Sequence, residues 1–170
     1  MDWIRAAIKD VPGYPRDGVV FRDITPVLSD GSLFQQVIET MAIPWRGQKI
    51  SKVLGIESRG WLFAAPLANA LGAGLVLVRK FGTLPRRTVQ ASYEGDGTVM
   101  MHADALAPGE RVLLVDDLLA TGVTAAATRA LVQQVKGDVV GYQFLVELTW
   151  LGGAAKLEPG KVNALVRYSS

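Results

Sequence analysis

Apolar and polar residues alternate in two rhythms along this chain. The opening stretch, DWIRAAIK, places Trp3, Ile4, Ala7 and Ile8 at helical spacing, with Asp2 in position to cap the helix. KDVPGYPRDG follows and reads as a turn-rich connection. DGSLFQQVIETMA predicts an amphipathic helix that begins near Asp30 and stops before Pro44. The rhythm then changes. Short apolar runs, KVLGIE (52–57), GLVLVR (74–79), RVLLVDD (111–117) and VVGYQFLVEL (139–148), alternate with the helical stretches RGWLFAAPLANALG and GVTAAATRALVQQV. Near-continuous Val, Leu and Ile suit strands buried on both faces. The alternation predicts an α/β fold with a parallel sheet flanked by helices. NALVRY (163–168) is a candidate edge strand. Residues 80–103 break the pattern with Gly, Pro, paired arginines and two weakly alternating segments. They predict a long loop or a projecting hairpin, and a loop of that length is a candidate functional element.

Composition narrows the chemistry. The chain has 170 residues, a length that suits one domain over 1–170. Its net charge of +2 serves a phosphorylated metabolite as well as a polyanion. No basic stripe marks a nucleic-acid surface. Absence of cysteine excludes thiolate catalysis, Cys-ligated zinc and disulfides. The one histidine, His102, rules out mechanisms that need two, and it reads as a surface residue rather than a base. MDWIRAAIKD carries acids and lacks a long apolar core, so it is no signal peptide. The apolar runs are too short to span a bilayer. A cytoplasmic protein without a membrane partner is the expectation.

LLVDDLLATGVTAAA (113–127) carries the most chemistry. An apolar strand runs into Asp116 and Asp117, and a helix is predicted to begin near Gly122. The first amides of a helix lack intrahelical partners and the helix dipole is positive there, so they form an anion cup. Thr121 and Thr124 add hydroxyl donors. Gly122 lacks a Cβ, which lets backbone close on a ligand. The acids just upstream suit vicinal hydroxyls, so the string reads as a site for a ribose 5-phosphate. Either acid alone reads better as a strand end that caps a turn. Together, after an apolar run, they destabilise the fold unless something offsets their desolvation. Rival motifs fail: there is no G-x-x-x-x-G-K-S/T, and GAGLVL lacks the third glycine of a dinucleotide fingerprint. GIESRG is not the G-x-S-x-G of a serine hydrolase. GIESRG, LVRK and LVDDLLATG all place polar groups at strand ends, where open parallel sheets bind ligands. They are expected to meet in one crevice.

VLLVDDLLATGVT resembles the signature of the type I phosphoribosyltransferases, which bind 5-phosphoribosyl 1-diphosphate (PRPP). GVVFRDITPVL (18–28), IESRGWLFAAPLA (56–68), LVRKFGTLP (77–85) and VELTWLGG (146–153) resemble, in order, segments of the adenine-using branch of that family. The resemblance covers about residues 2–158. It implies the type I phosphoribosyltransferase fold, with an N-terminal base-binding segment and a flexible active-site loop at about 81–101. It further implies transfer of the phosphoribosyl group from PRPP to adenine, giving AMP and diphosphate. Mg²⁺ held mainly through PRPP, a homodimer and a cytoplasmic setting come with it. Two alternatives stay open: transfer to hypoxanthine, guanine or xanthine, and a non-catalytic PRPP-sensing regulator of the same fold.

The resemblance also implies residue roles. Asp116 and Asp117 would bind the ribose hydroxyls. Ala120, Thr121, Gly122, Val123 and Thr124 would form the 5′-phosphate loop, with Val123 standing where adenine-using members usually have Gly. Glu57, Ser58 and Arg59 match the diphosphate loop, which in the family often holds a cis non-proline peptide, and Arg59 would be catalytic. Arg79 and Lys80 would reach diphosphate. Thr83 replaces the family's next basic residue, a loss for which Arg86 or Arg87 could compensate. Phe21 would stack on adenine while backbone at Val20 and Arg22 reads its edge, and Leu148 would close the other face. Glu94, in SYEGDG where the branch usually has Leu-Glu-Tyr-Gly, is the candidate for the family's catalytic glutamate. Trp3 on the first helix would suit the dimer interface.

Overall fold

The expected alternation of strands and helices is present in the computed structural model, which describes residues 1–80, 82, 84–95 and 97–170. Helices α1 to α5 span Asp2–Ala7, Thr25–Ser29, Gly31–Ala42, Gly60–Leu71 and Val123–Gln134. Strands β1 and β2 are Lys9–Pro12 and Val20–Asp23, and β3 and β4 are Lys52–Ile56 and Gly74–Lys80. Strands β5 and β6 are Thr88–Tyr93 and Gly97–His102, and β7 to β9 are Arg111–Leu119, Asp138–Leu148 and Lys161–Tyr168. The main sheet has seven strands in the order β5-β6-β4-β3-β7-β8-β9. Strands β4, β3, β7, β8 and β9 run parallel, and the β5–β6 hairpin closes one edge antiparallel.

Each face of the sheet has its own core. On one side α3 and α4 cover Val53, Leu113, Val115 and Val146, with Phe63, Ala64 and Leu67 pointing inward. On the other, Ala127, Leu131 and Val132 of α5 cover Leu54, Ile56, Val112 and Leu114. Burial on both faces explains the near-continuous apolar strands. Helix α3 starts where the sequence predicts, with the Asp30 carboxylate accepting from the Leu33 amide at 3.0 Å. At α1 the expectation shifts by one residue: Met1 takes the cap position, and Asp2 sits in the first turn.

Of the long loop or projecting hairpin expected at 80–103, the hairpin is present as β5 and β6. This hairpin extends the main sheet rather than standing off it. Strand β6 pairs with β4 at Arg79↔Met100 and Lys80↔Val99, and Val99 and Met101 are buried. Val89, Ala91 and Tyr93 of β5 pack into the α5-side core, and Gln134 Nε2 donates to the Gln90 carbonyl at 2.9 Å. His102, expected at the surface, is only partly there. It is half-buried at the end of β6, with Nε2 enclosed. The stretch read as a turn-rich connection contains β1, which pairs with β2 as a separate two-stranded hairpin.

Candidate active site

The site lies where β3, β4 and β7 end. After β3 the chain turns through Glu57, Ser58 and Arg59 into α4, and the Glu57–Ser58 peptide is cis. Glu57 ties this turn to the end of β4. Its amide donates to the Val78 carbonyl at 2.9 Å, and its carboxylate accepts from the Lys80 amide at 2.8 Å. With its backbone held this way, Lys80 lines a cavity of about 270 Å³ together with Glu57, Ser58, Arg59, Asp116, Asp117, Leu118 and Thr124.

Strand β7 does not stop at the acids, as the pattern suggested, but continues to Leu119. The acids therefore have sheet geometry and lie half-buried or deeper. Asp117 is 7% exposed, and its Oδ2 lies 2.6 Å from Arg59 Nε. Its amide donates to Asp116 Oδ1 at 2.9 Å. Asp116 presses on the start of α4, where a Cβ at Gly60 would come within 2.8 Å of its Oδ1. Burial first, and the Asp117 charge second, push the Asp116 carboxyl well above the ordinary 3.8. Arg59 opposes this shift.

Next to that cavity is a cup of about 80 Å³ formed by Leu118–Ala125 with Asp116 and Phe144. Gly122 caps α5 with φ +76°, in the left-handed region. The sequence assigned its missing Cβ to a ligand. The structure assigns it to Gly153, whose carbonyl oxygen would lie 2.4 Å from a Cβ at position 122. Reciprocally, a Cβ at Gly153 would lie 2.2 Å from the Ala120 carbonyl oxygen. Gly153, the second glycine of VELTWLGG, thus backs the Ala120–Gly122 turn of the cup.

A third cavity, about 100 Å³ and largely apolar, is lined by Val20, Phe21, Arg22, Arg59, Leu118 and Leu148 among others. The Phe21 ring meets Tyr14 edge-on at 5.2 Å and lies 5.5 Å from the Arg59 guanidinium carbon. The cavities adjoin through shared residues. Leu118 lines all of them, Asp116 and Thr124 join the cup to the larger cavity, and Arg59 and Asp117 join that cavity to the apolar one.

The structure thus gathers Val20, Phe21, Arg22, Glu57, Ser58, Arg59, Lys80, Asp116, Asp117, Ala120, Thr121, Gly122, Val123, Thr124 and Leu148. Arg79 and Glu94 line none of these cavities. Strand alternation turns Arg79 toward α4, where its Nε lies 3.4 Å from Glu57 Oε2 and its guanidinium carbon 5.8 Å from the Trp61 ring. Glu94 is exposed in the turn between β5 and β6. Arg86 is paired with Asp104, and Thr83 lies outside the described residues. Sequence reasoning missed Leu118 and Val146. Both are inward-facing strand positions that an apolar pattern alone cannot tell from core. Among the described residues no helix is long and apolar enough to cross a membrane.

Residues 29–155 match the family model described as the phosphoribosyl transferase domain. The chain belongs to the phosphoribosyltransferase family. Its relatives include adenine phosphoribosyltransferases: that of Anaeromyxobacter dehalogenans is 50% identical over 99% of both chains. That of Myxococcus xanthus is 49% identical over 97% of this chain and 91% of its own. The crystal structure of the Thermoanaerobacter pseudethanolicus enzyme superposes with a TM-score of 0.94 at 43% identity, covering 98% of this chain and 99% of that one. The Saccharomyces cerevisiae enzyme, complexed with an imino-altritol bisphosphate and adenine, superposes with a TM-score of 0.92 at 36% identity, over 96% of this chain and 97% of that one.

Proposed function

We infer that this chain transfers the phosphoribosyl group of PRPP to adenine, giving AMP and diphosphate. The continuity of the three cavities carries this reading, because their order matches the parts of the product. The α5 amides and the hydroxyls of Thr121 and Thr124 suit the 5′-phosphate. Asp116 and Asp117 suit the ribose diol. Glu57, Ser58, Arg59 and Lys80 surround the place left for diphosphate. Phe21 and Leu148 flank an apolar slot suited to a purine.

As the bond from the anomeric carbon to diphosphate breaks, positive charge grows on the ribose ring and negative charge on the leaving group. Catalysis is then mainly positioning and electrostatics. Lys80 and Arg59 face the leaving group. Arg59 is held in place by Asp117 at 2.6 Å, so it needs no reorganisation as charge develops. Adenine N9, held in the slot, bonds to the opposite face of the anomeric carbon. The surrounding apolar side chains, Leu118, Val146 and Leu148, exclude the water that would otherwise hydrolyse PRPP.

Among the described residues no group of three or more His, Asp or Glu side chains is arranged to hold a metal alone. The acids at the site fit a Mg²⁺ that arrives with PRPP and keeps mostly phosphate, ribose and water oxygens, with Asp116, Asp117 or Glu57 as nearby carboxylates. When bound, the ion neutralises charge on the diphosphate. A homodimer belongs to the same reading. The α4-side face of β4 is uncovered, with Leu75, Leu77 and Leu62 on α4 all more than 40% exposed, a surface suited to a second copy. Trp3 is also exposed, at 42%. Sedimentation at micromolar concentration should give twice the chain mass, and a monomer would remove this part.

The deciding assay mixes the chain with adenine, PRPP and magnesium. AMP and diphosphate should form in equal amounts and stop when any component is left out. Preferential use of hypoxanthine, guanine or xanthine in a competition among the purines would overturn the adenine assignment.

A further inference from the structure

The hairpin that carries Phe21 has no backbone pairing with the main sheet, because β1 and β2 form a sheet of their own. Its position over the purine slot therefore depends on its links to α1 and α2, which are anchored in the core by Ile4 and Val27, and on side chains. Strand alternation puts Phe21 on the site side, near Arg59, and turns Arg22 to the reverse. There the Arg22 guanidinium carbon lies 4.0 Å from the centre of the Tyr168 ring. Arg22 also pairs with Asp10 of β1 at 2.5 Å and donates from Nη2 to the Ser170 carbonyl at 2.9 Å. A second guanidinium, from Arg5 on α1, lies 4.5 Å from the same ring.

Tyr168 is well anchored to do this. It ends β9, is 8% exposed, and its carbonyl accepts from Thr149 Oγ1 at 3.0 Å. In the β8–β9 register Tyr168 stands directly beside Leu148, the residue on the opposite side of the purine slot. One residue thus references both walls: Leu148 through the strand register and Phe21 through Arg22. Burial raises the Tyr168 phenol above its ordinary value. The Arg22 side chain is only 10% exposed, and cation–π contacts strengthen when water is excluded.

We propose that Tyr168 is a positioning residue for the purine slot, holding the β1–β2 hairpin through Arg22 so that Phe21 stands at stacking distance from the base opposite Leu148. The proposal rests on the adenine reading above. Phe21, Arg22, Leu148 and Tyr168 line neither the cup nor the larger cavity, so its signature is a split between substrates. Tyr168→Leu should raise the adenine KM about tenfold, the loss of a desolvated cation–π contact, while the PRPP KM and kcat stay within about twofold. Tyr168→Phe should behave as wild type, because the contact needs the ring face and not the hydroxyl. Arg22→Met should raise the adenine KM at least as far as Tyr168→Leu, because it also removes the Asp10 and Ser170 contacts, and the double variant should lose less than the sum of the two single losses, since they share one contact.

An unchanged adenine KM in Tyr168→Leu overturns the proposal. So does a Tyr168→Phe variant as impaired as Tyr168→Leu, or a loss spread equally over both substrates. If Tyr168→Leu fails to fold, Arg22→Met decides by the same split. A wild-type chain inactive with adenine overturns this proposal and the functional reading together; an active wild type with unaffected variants overturns only the proposal.

Discussion

Replacing Gly122 with alanine perturbs two things at once, and its neighbours allow them to be separated. Gly152 has φ +65° and open space where a Cβ would go. Alanine there meets only the left-handed backbone penalty, about 1 kcal/mol. Gly153 has no such φ, but its Cβ would fall 2.2 Å from the Ala120 carbonyl oxygen and 2.9 Å from the Gly122 amide nitrogen. Both are backbone atoms and cannot rotate away, so Gly153→Ala carries an overpacking cost of about 1–3 kcal/mol. Gly122 has both problems, φ +76° and a Cβ position 2.4 Å from the Gly153 carbonyl oxygen. Gly122→Ala should therefore cost about 2–4 kcal/mol. For a chain of this size that lowers Tm by roughly 5–15 °C, against about 2–4 °C for Gly152→Ala. Function should separate the series again. Gly122→Ala and Gly153→Ala push apart the walls of the phosphate cup, and a displacement of even an ångström should lower kcat/KM for PRPP by about ten- to a hundredfold. Gly152→Ala leaves the cup alone and should keep its PRPP KM. Calorimetry and steady-state kinetics on the three variants make the comparison. The reasoning is refuted if Gly122→Ala melts no lower than Gly152→Ala, or if both cup variants keep wild-type PRPP kinetics.

Asp116 offers a test with a defined pH dependence. Its folded pKa lies above the ordinary 3.8, so the native state retains a proton that the unfolded chain releases. That contribution is complete below the unfolded pKa and is lost as pH rises through the folded one. Asp116→Asn removes the loss: its Tm should exceed wild type at about pH 8, with the gap closing toward about pH 4, while PRPP binds more weakly. A gap independent of pH would remove burial as its cause. Glu94 stands in an exposed turn outside the cavities, so Glu94→Gln should change kcat/KM by less than about threefold, and a fall beyond about a hundredfold would restore it as the catalytic glutamate.

Much of this molecule was legible along the chain because the relevant physics is local. Near-continuous apolar runs and period-3.6 apolar patterns mark which residues face a core, so the parallel strands, α3, α4 and α5 fell where expected. The cup at the start of α5 was legible for the same reason: a helix start, its unpaired amides and its hydroxyls all lie within LLVDDLLATGVT. Contacts distant in sequence were decided only by the tertiary fold. The β5–β6 segment alternates too weakly to declare itself a sheet edge until β4 is beside it and α5 above it. Arg79 reads as a free cation until strand alternation turns it against Glu57. Gly122 reads as a ligand contact until Gly153, some thirty positions away, presses on it. Tyr168 carries no motif at all, and it gains its place only because β9 pairs with β8 beside Leu148 while the β1–β2 hairpin folds back over its ring. A local pattern can say that a side chain is buried or free, but only the packed chain sets what it is buried against.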